Sequence, residues 1–290
     1  MSVIVESMNI LSIQSHVAYG HVGNDAAVFS LQRMGVEAWP IHTVQFSNHT
    51  GYGNWKGRIF DAGMIAEVME GIEQRGVLGK CDGVLSGYIG SVDIGDTILD
   101  AVKTVKRANP HARYCCDPVI GDVGRGVFVR EGIPEFMKTK ALPAADIITP
   151  NHFELDYLSG RVSKSLQEVR DAVLAVHDLG RRAILVTSLH TAETPDDSID
   201  LLASDETGCF TLRTPKLSLT VNGAGDAIAA LFFAHYLRGN IGAALSFAAS
   251  AVFGVLAKTA EAGAREIQLV AAQEEIANPS RVFHAEVLTS

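Results

Sequence analysis

The chain is poor in cysteine and in positive charge. Its 290 residues hold four cysteines, Cys81, Cys115, Cys116 and Cys209, with no C-x-x-C spacing. The neighbours Cys115 and Cys116 would bridge only with strain. This excludes a disulfide framework and reads as free thiols in a reducing compartment, so a cytoplasmic location is expected. Lys and Arg number 24 against 33 Asp and Glu, for a formal net charge of -9. The basic excess that would neutralise nucleic-acid phosphates or an anionic membrane is missing, and a small molecule is the expected partner. Residues 1–8 lack a basic region and carry Glu6 where a signal core would continue, so no export signal is expected. Residues 239–257 are free of charge, but their Gly, Ala and Ser content and Asn240 read as a buried helix, not a membrane span.

Several chemistries are missing too. There is no G-x-x-x-x-G-K-[ST], so any nucleotide phosphate is held by another device, and Gly20 and Gly23 after the first strand do not make G-x-G-x-x-G, which disfavours a dehydrogenase. Neither His16 with His21 nor His42 with His49 has the helical spacing of a zinc site, and H-E-x-x-H is absent. No G-x-S-x-G elbow supports acyl transfer.

What is present alternates. Strand-like runs at 9–15, 37–45, 83–86, 113–117, 146–148 and 183–186 are interleaved with helical patterns at 25–34, 62–75, 92–108, from Pro150, and at 165–179. Alternation with right-handed crossovers predicts one α/β domain over residues 1–290, with a mainly parallel sheet covered by helices on both faces. A hairpin at 201–204 and 209–214 predicts an antiparallel edge, and the acidic stretch 191–198 reads as an exposed loop. Ligands of such sheets lie beyond the carboxyl ends of the strands, where Ser15, Gln45, Gly87, Tyr88, Asp117, Thr149, Thr187 and Ser188 gather. Each alone reads as a turn residue; their repetition argues for a site. The polar and aromatic loop 46–55 suits a ring-shaped ligand, and residues 121–129, with three glycines, suit a mobile flap.

The chain is organised around Val221-Asn222-Gly223-Ala224-Gly225-Asp226 and the apolar helix that follows. Gly223, Ala224 and Gly225 leave main-chain N–H groups open at a helix start, where the dipole is positive and an anion is attracted. Asp226 would ordinarily cap the helix. Beside a phosphate pocket it is also placed to take the proton of an attacking hydroxyl. Asp117 and Glu154, caps in the plainer reading, are the carboxylates that could hold Mg²⁺.

Residues 221–230 resemble the G-x-G-D signature of the ribokinase superfamily. Residues 13–24, 43–50, 85–88, 116–119, 149–151 and 268–273 are similar, in order, to pyridoxal kinases of that superfamily. The resemblance implies a three-layer ribokinase-like fold, a homodimer, and ATP-dependent phosphorylation of the 5′-hydroxyl of pyridoxal with Mg²⁺ and a monovalent cation such as K⁺. It also implies roles. Ser15, Thr50 and Gly51 would bind the pyridine, and Val22, Val44, Phe46, Trp55 and Tyr88 would wall it. Asp117 and Glu154 would organise Mg²⁺-ATP, Thr149, Thr187 and Ser188 would meet phosphate or cation, and Thr214, Pro215, Lys216 and Leu217 would run along the nucleotide. Asp226 would be the base, behind a lid at 121–129. A hydroxymethylpyrimidine or sugar kinase, and a B6-binding protein without catalysis, remain as alternatives.

Overall fold

The computed structural model describes residues 8–180 and 183–288. The expectation about a signal at the N-terminus falls on residues outside this set, Met8 apart. The strands are β1 (Asn9–Val17), β2 (Glu37–Phe46), β3 (Gly57–Ile59), β4 (Gly83–Ser86), β5 (Arg113–Cys116), β6 (Gly121–Asp122), β7 (Gly126–Val127), β8 (Ile147–Ile148), β9 (Ala183–Leu189), β10 (Ser198–Asp205), β11 (Gly208–Pro215) and β12 (Glu286–Val287). Ten of them form one sheet in the order β12-β11-β10-β9-β8-β5-β4-β1-β2-β3, and β6 and β7 form a separate hairpin. From β2 to β9 the pairings are parallel. The expected antiparallel edge is there in β10 to β12, and β3 makes the opposite edge antiparallel as well.

The helices are α1 (Asn24–Arg33), α2 (Ala62–Gln74), α3 (Val92–Ala108), α4 (Ile133–Phe136), α5 (Leu142–Ala144), α6 (His152–Ser159), α7 (Leu166–His177), α8 (Ala224–Arg238), α9 (Ile241–Glu261) and α10 (Gln273–Ala277), with a π-type turn Met137–Ala141 joining α4 to α5. They divide between the faces. Leu11, Ile13 and Val84 pack with α2, α3, α6 and α7, whereas Ile10, Leu85 and Cys115 pack with α1, α8 and α9. Alternate strand residues thus point to opposite cores, and the three layers follow. Gly83 shows how tightly the second core closes: a Cβ there would lie 2.4 Å from Phe233 Cζ. Phe232 and Phe233 are fully buried, each worth about 1.5–3 kcal/mol, and they fix α8 across the sheet. α9 is long and apolar enough to cross a bilayer, yet it packs in this core, as its composition predicts.

Some local expectations change. β1 runs two residues past Ser15, with a register shift between Gln14 and His16, because Ala18 and Tyr19 donate to Phe46 O and Ser47 O and prolong the pairing. Stretch 191–198 is not wholly exposed. Thr191 and Thr194 are buried, and Thr194 Oγ1 donates to Asp200 Oδ2 at 2.8 Å, beside the two-pronged Arg213 to Asp200 ion pair. All four cysteines are free thiols.

Candidate active site

One cavity of about 470 Å³ opens over the carboxyl ends of β1, β4, β5 and β9. It brings Ser15, Val22, Phe46, Thr50, Gly51, Tyr88, Asp117, Thr149, Glu154, Thr187, Ser188, Gly223, Ala224, Gly225 and Asp226 into a single wall. Val44 is fully buried behind Val22 and Phe46, one layer back. Trp55 packs against Phe46 with ring centroids 4.1 Å apart and planes tilted by 41°, but lies outside the wall, 42% exposed. Thr214, Pro215, Lys216 and Leu217 are outside it too: Thr214 is buried in the β10–β11 ladder, and Lys216 N bonds to Asp197 O.

The turn before α8 is built by glycine. Gly223 caps α8 at φ 92°, and a Cβ there would stand 1.8 Å from His21 O, so no other residue fits. Nothing lies within 4 Å of the Cβ position of Gly225, so the first turn faces open space. Its N–H groups have no intrahelical partners. Asp226 follows one residue later, and its carboxylate takes N–H groups from Gly23 and from its own backbone. Burial outweighs these bonds and, with the charge of Asp25, pushes its pKa up to about 6. Gly23 is itself forced, since a Cβ would fall 2.3 Å from Ser15 O and Oγ.

Another part of the wall is apolar. Val17, Val22, Val44 and Phe46 form one cluster with Tyr88 against it. Thr43 Oγ1 donates to Tyr88 O at 3.0 Å and pins the turn after β4 to β2. His49 Nδ1 accepts from Gly51 N at 3.1 Å, which shapes the turn carrying Thr50. Burial, then the Arg125 charge, lowers the His49 pKa, so its ring is neutral at physiological pH. Tyr52 hydrogen-bonds Glu266 and ties the same turn to the segment after α9.

Two further carboxylates of the wall, Asp117 and Glu154, are buried. Thr149 Oγ1 donates to Asp117 Oδ1 at 3.0 Å. Burial, followed by the charges of Glu154 and Asp226, raises Asp117 well above the usual carboxylate range. Glu154 fulfils the capping role: Oε2 accepts from Asn151 N at 2.9 Å while Asn151 Oδ1 accepts from Glu154 N, and Oε1 accepts from Ile120 N at 2.7 Å. Burial still lifts its pKa to about 7 against those bonds. Crowded carboxylates short of positive charge suit a divalent cation, which would relieve their repulsion. Asp117 has free lone pairs to meet such an ion directly. Glu154, already accepting three N–H groups, fits contact through water.

Two residues in the wall hold strained backbone, Val119 at φ 38° and Ser188 at φ 53°. Each costs about 1–3 kcal/mol, and such strain gathers at ligand sites. The wall also contains His49 and, with no individual signal in the sequence, Val17, Asn151 and, from the 121–129 stretch, Asp122, Arg125 and Phe128. The flap glycines were the signal for the last three. His49 stands inside the 43–50 run.

The chain is similar to several known proteins. Residues 63–269 match the family model described as phosphomethylpyrimidine kinase. The chain is 56% identical to pyridoxal kinase PdxY of Granulibacter bethesdensis, covering 97% of this chain and 100% of that relative. It is 56% identical to pyridoxal kinase PdxY of Rubrobacter xylanophilus over 94% of each chain. The solved pyridoxal kinase from Leishmania donovani, in complex with ADP and pyridoxamine, superposes with a TM-score of 0.91 at 31% identity, over 98% of this chain and 100% of that one.

Proposed function

The chain belongs to the pyridoxal kinase family, and from that premise we propose how its cavity works. It is an ATP-dependent kinase that phosphorylates the 5′-hydroxyl of pyridoxal, and of its relatives pyridoxine and pyridoxamine, in vitamin B6 salvage. The observation that carries the assignment of roles is that the glycine turn with Asp226 and the apolar residues Val22, Phe46 and Tyr88 line one cavity.

In this reading the pyridine lies among Val22, Phe46 and Tyr88, with Ser15, Thr50 and Gly51 supplying polar contacts. Its 5′-hydroxyl then points to Asp226, which takes the hydroxyl proton as the oxygen attacks the γ-phosphorus of ATP and the bond to the β-phosphate oxygen breaks. A pKa of about 6 keeps Asp226 ionised at neutral pH while leaving it basic enough to hold that proton. The N–H groups at Ala224 and Gly225 meet the transferred phosphoryl oxygens. Asp117, and Glu154 through water, would hold Mg²⁺, which offsets the charge on the phosphates when bound. Thr149, Thr187 and Ser188 offer hydroxyls to phosphate or to a monovalent cation such as K⁺. Trp55, Val44 and residues 214–217 act at one remove, supporting Phe46 or lying along the nucleotide outside the cavity wall. Residues 1–290 work as one kinase domain, in the cytoplasm and as a homodimer, which sedimentation would test.

The test of function is steady-state turnover of ATP with Mg²⁺ and K⁺ against pyridoxal, pyridoxine, pyridoxamine, hydroxymethylpyrimidine and ribose, following the phosphorylated product. Pyridoxal is expected to be a substrate. Hydroxymethylpyrimidine turned over with no B6 vitamer accepted would overturn the reading of the ring pocket, and binding of pyridoxal without turnover would overturn the assignment of the base.

A further inference from the structure

Among the described residues Arg125 is the one Lys or Arg in the cavity wall, where Asp117, Asp122, Glu154 and Asp226 are also found. A phosphoryl group in transfer spreads negative charge over its oxygens, and the glycine turn offers it only fractional positive charge. The wall therefore has one full positive charge to give.

Its mounting fits that use. Arg125 stands at the tip of the β6–β7 hairpin between Gly124 at φ 78° and Gly126 at φ 67°, and no atom lies within 4 Å of a Cβ placed on either glycine. The tip is unpacked while the base is held: Asn151 Nδ2 donates to Gly121 O at 2.8 Å, and Ile120 N and Gly121 N donate to Glu154. The guanidinium rests 5.0 Å from the centroid of the Phe128 ring, with no carboxylate partner among the described residues. Lys140 and Arg213, by contrast, are paired with Asp96 and Asp200. The charge of Arg125 also reaches across the cavity to His49.

We infer that Arg125 is a further catalytic residue of this kinase: its guanidinium meets the phosphoryl group during transfer and stays on the phosphate of the product. This rests on the kinase reading. The P–O bond to pyridoxal forms as the bond to ADP breaks and the proton goes to Asp226, while Arg125 keeps its protons throughout and stabilises charge.

The product carries a phosphate that pyridoxal lacks, which gives a test independent of rate. Arg125→Ala and Arg125→Lys would be titrated, free of nucleotide, with pyridoxal and with pyridoxal 5′-phosphate, and assayed with ATP. In Arg125→Ala the affinity for pyridoxal 5′-phosphate is expected to fall about tenfold or more, with pyridoxal binding unchanged and kcat reduced by a similar factor. Arg125→Lys should lie between, and added guanidinium should partly restore kcat of the alanine variant. Wild-type affinity and kcat in Arg125→Ala, or equal loss of both ligands, would overturn the inference. Failure of the wild-type protein to phosphorylate pyridoxal would overturn the kinase reading along with it, an outcome distinct from an active protein indifferent to Arg125.

Discussion

Replacing Gly225 by alanine separates stability from chemistry. Gly225 lies in the first turn of α8 with an ordinary negative φ, and the Cβ position is empty to 4 Å. On helix propensity alone the change should be neutral to stabilising, by up to about 1 kcal/mol. For a chain of this size that is a rise of about 0–3 °C in Tm. The new methyl, however, leans toward the helix N-terminus, into the space where the turn meets an anion. Displacing a phosphoryl oxygen by about 1 Å costs on the order of a hundredfold in rate. Gly225→Ala should thus unfold no earlier than wild type and turn over about a hundredfold more slowly, with pyridoxal affinity retained. Thermal unfolding and steady-state kinetics on the same preparation measure both. Gly223→Ala is the control: at φ 92° and with His21 O only 1.8 Å away, it should lose about 1–3 kcal/mol or more and melt several degrees lower. Wild-type kcat in a stable Gly225→Ala protein would refute the reading of this turn as the phosphoryl cradle.

Two further outcomes follow from the same geometry. Asn151→Ala removes the cap of α6 and the bond to Gly121 O, so stability should fall by about 1–2 kcal/mol, or about 2–6 °C in a thermal melt; an unchanged Tm would count against the cap. Chelating divalent cations should abolish turnover, and Asp117→Asn should raise the half-saturating Mg²⁺ concentration about tenfold or more, whereas activity indifferent to chelator would exclude Asp117 from this role.

The parts of this fold legible in the sequence are those where one residue type has one physical solution. Gly223 admits no side chain, and the apolar run behind it must be buried, so the turn and α8 are marked by residue type alone. Strand ends in a parallel sheet converge by topology, which brings Ser15, Tyr88, Asp117, Thr149, Thr187 and Ser188 together, whereas Gln45 and Gly87, expected with them, stay out of the cavity wall. What was hidden depends on direction. The aromatic loop announces rings, but only packing decides that Phe46 faces the cavity and Trp55 covers its back. The α4–α5 segment is masked in the sequence by Gly132, Pro134 and Pro143, although proline is tolerated in the first turn of each helix. Glu154 reads equally as cap or metal ligand from sequence, and the structure shows the cap bonds made.

The most direct test of the account is the pH dependence of kcat/KM for pyridoxal in the wild-type protein and in Asp226→Asn. Asp226 is active only when deprotonated, and burial places its pKa at about 6, so wild-type activity should rise from about pH 5 to about pH 7. In Asp226→Asn the step near pH 6 should vanish, leaving only the later one from Glu154 at about 7, and turnover should fall roughly a hundredfold or more, with pyridoxal still bound. An asparagine variant that keeps both the rate and the pH profile of the wild type would contradict the claim that Asp226 is the base.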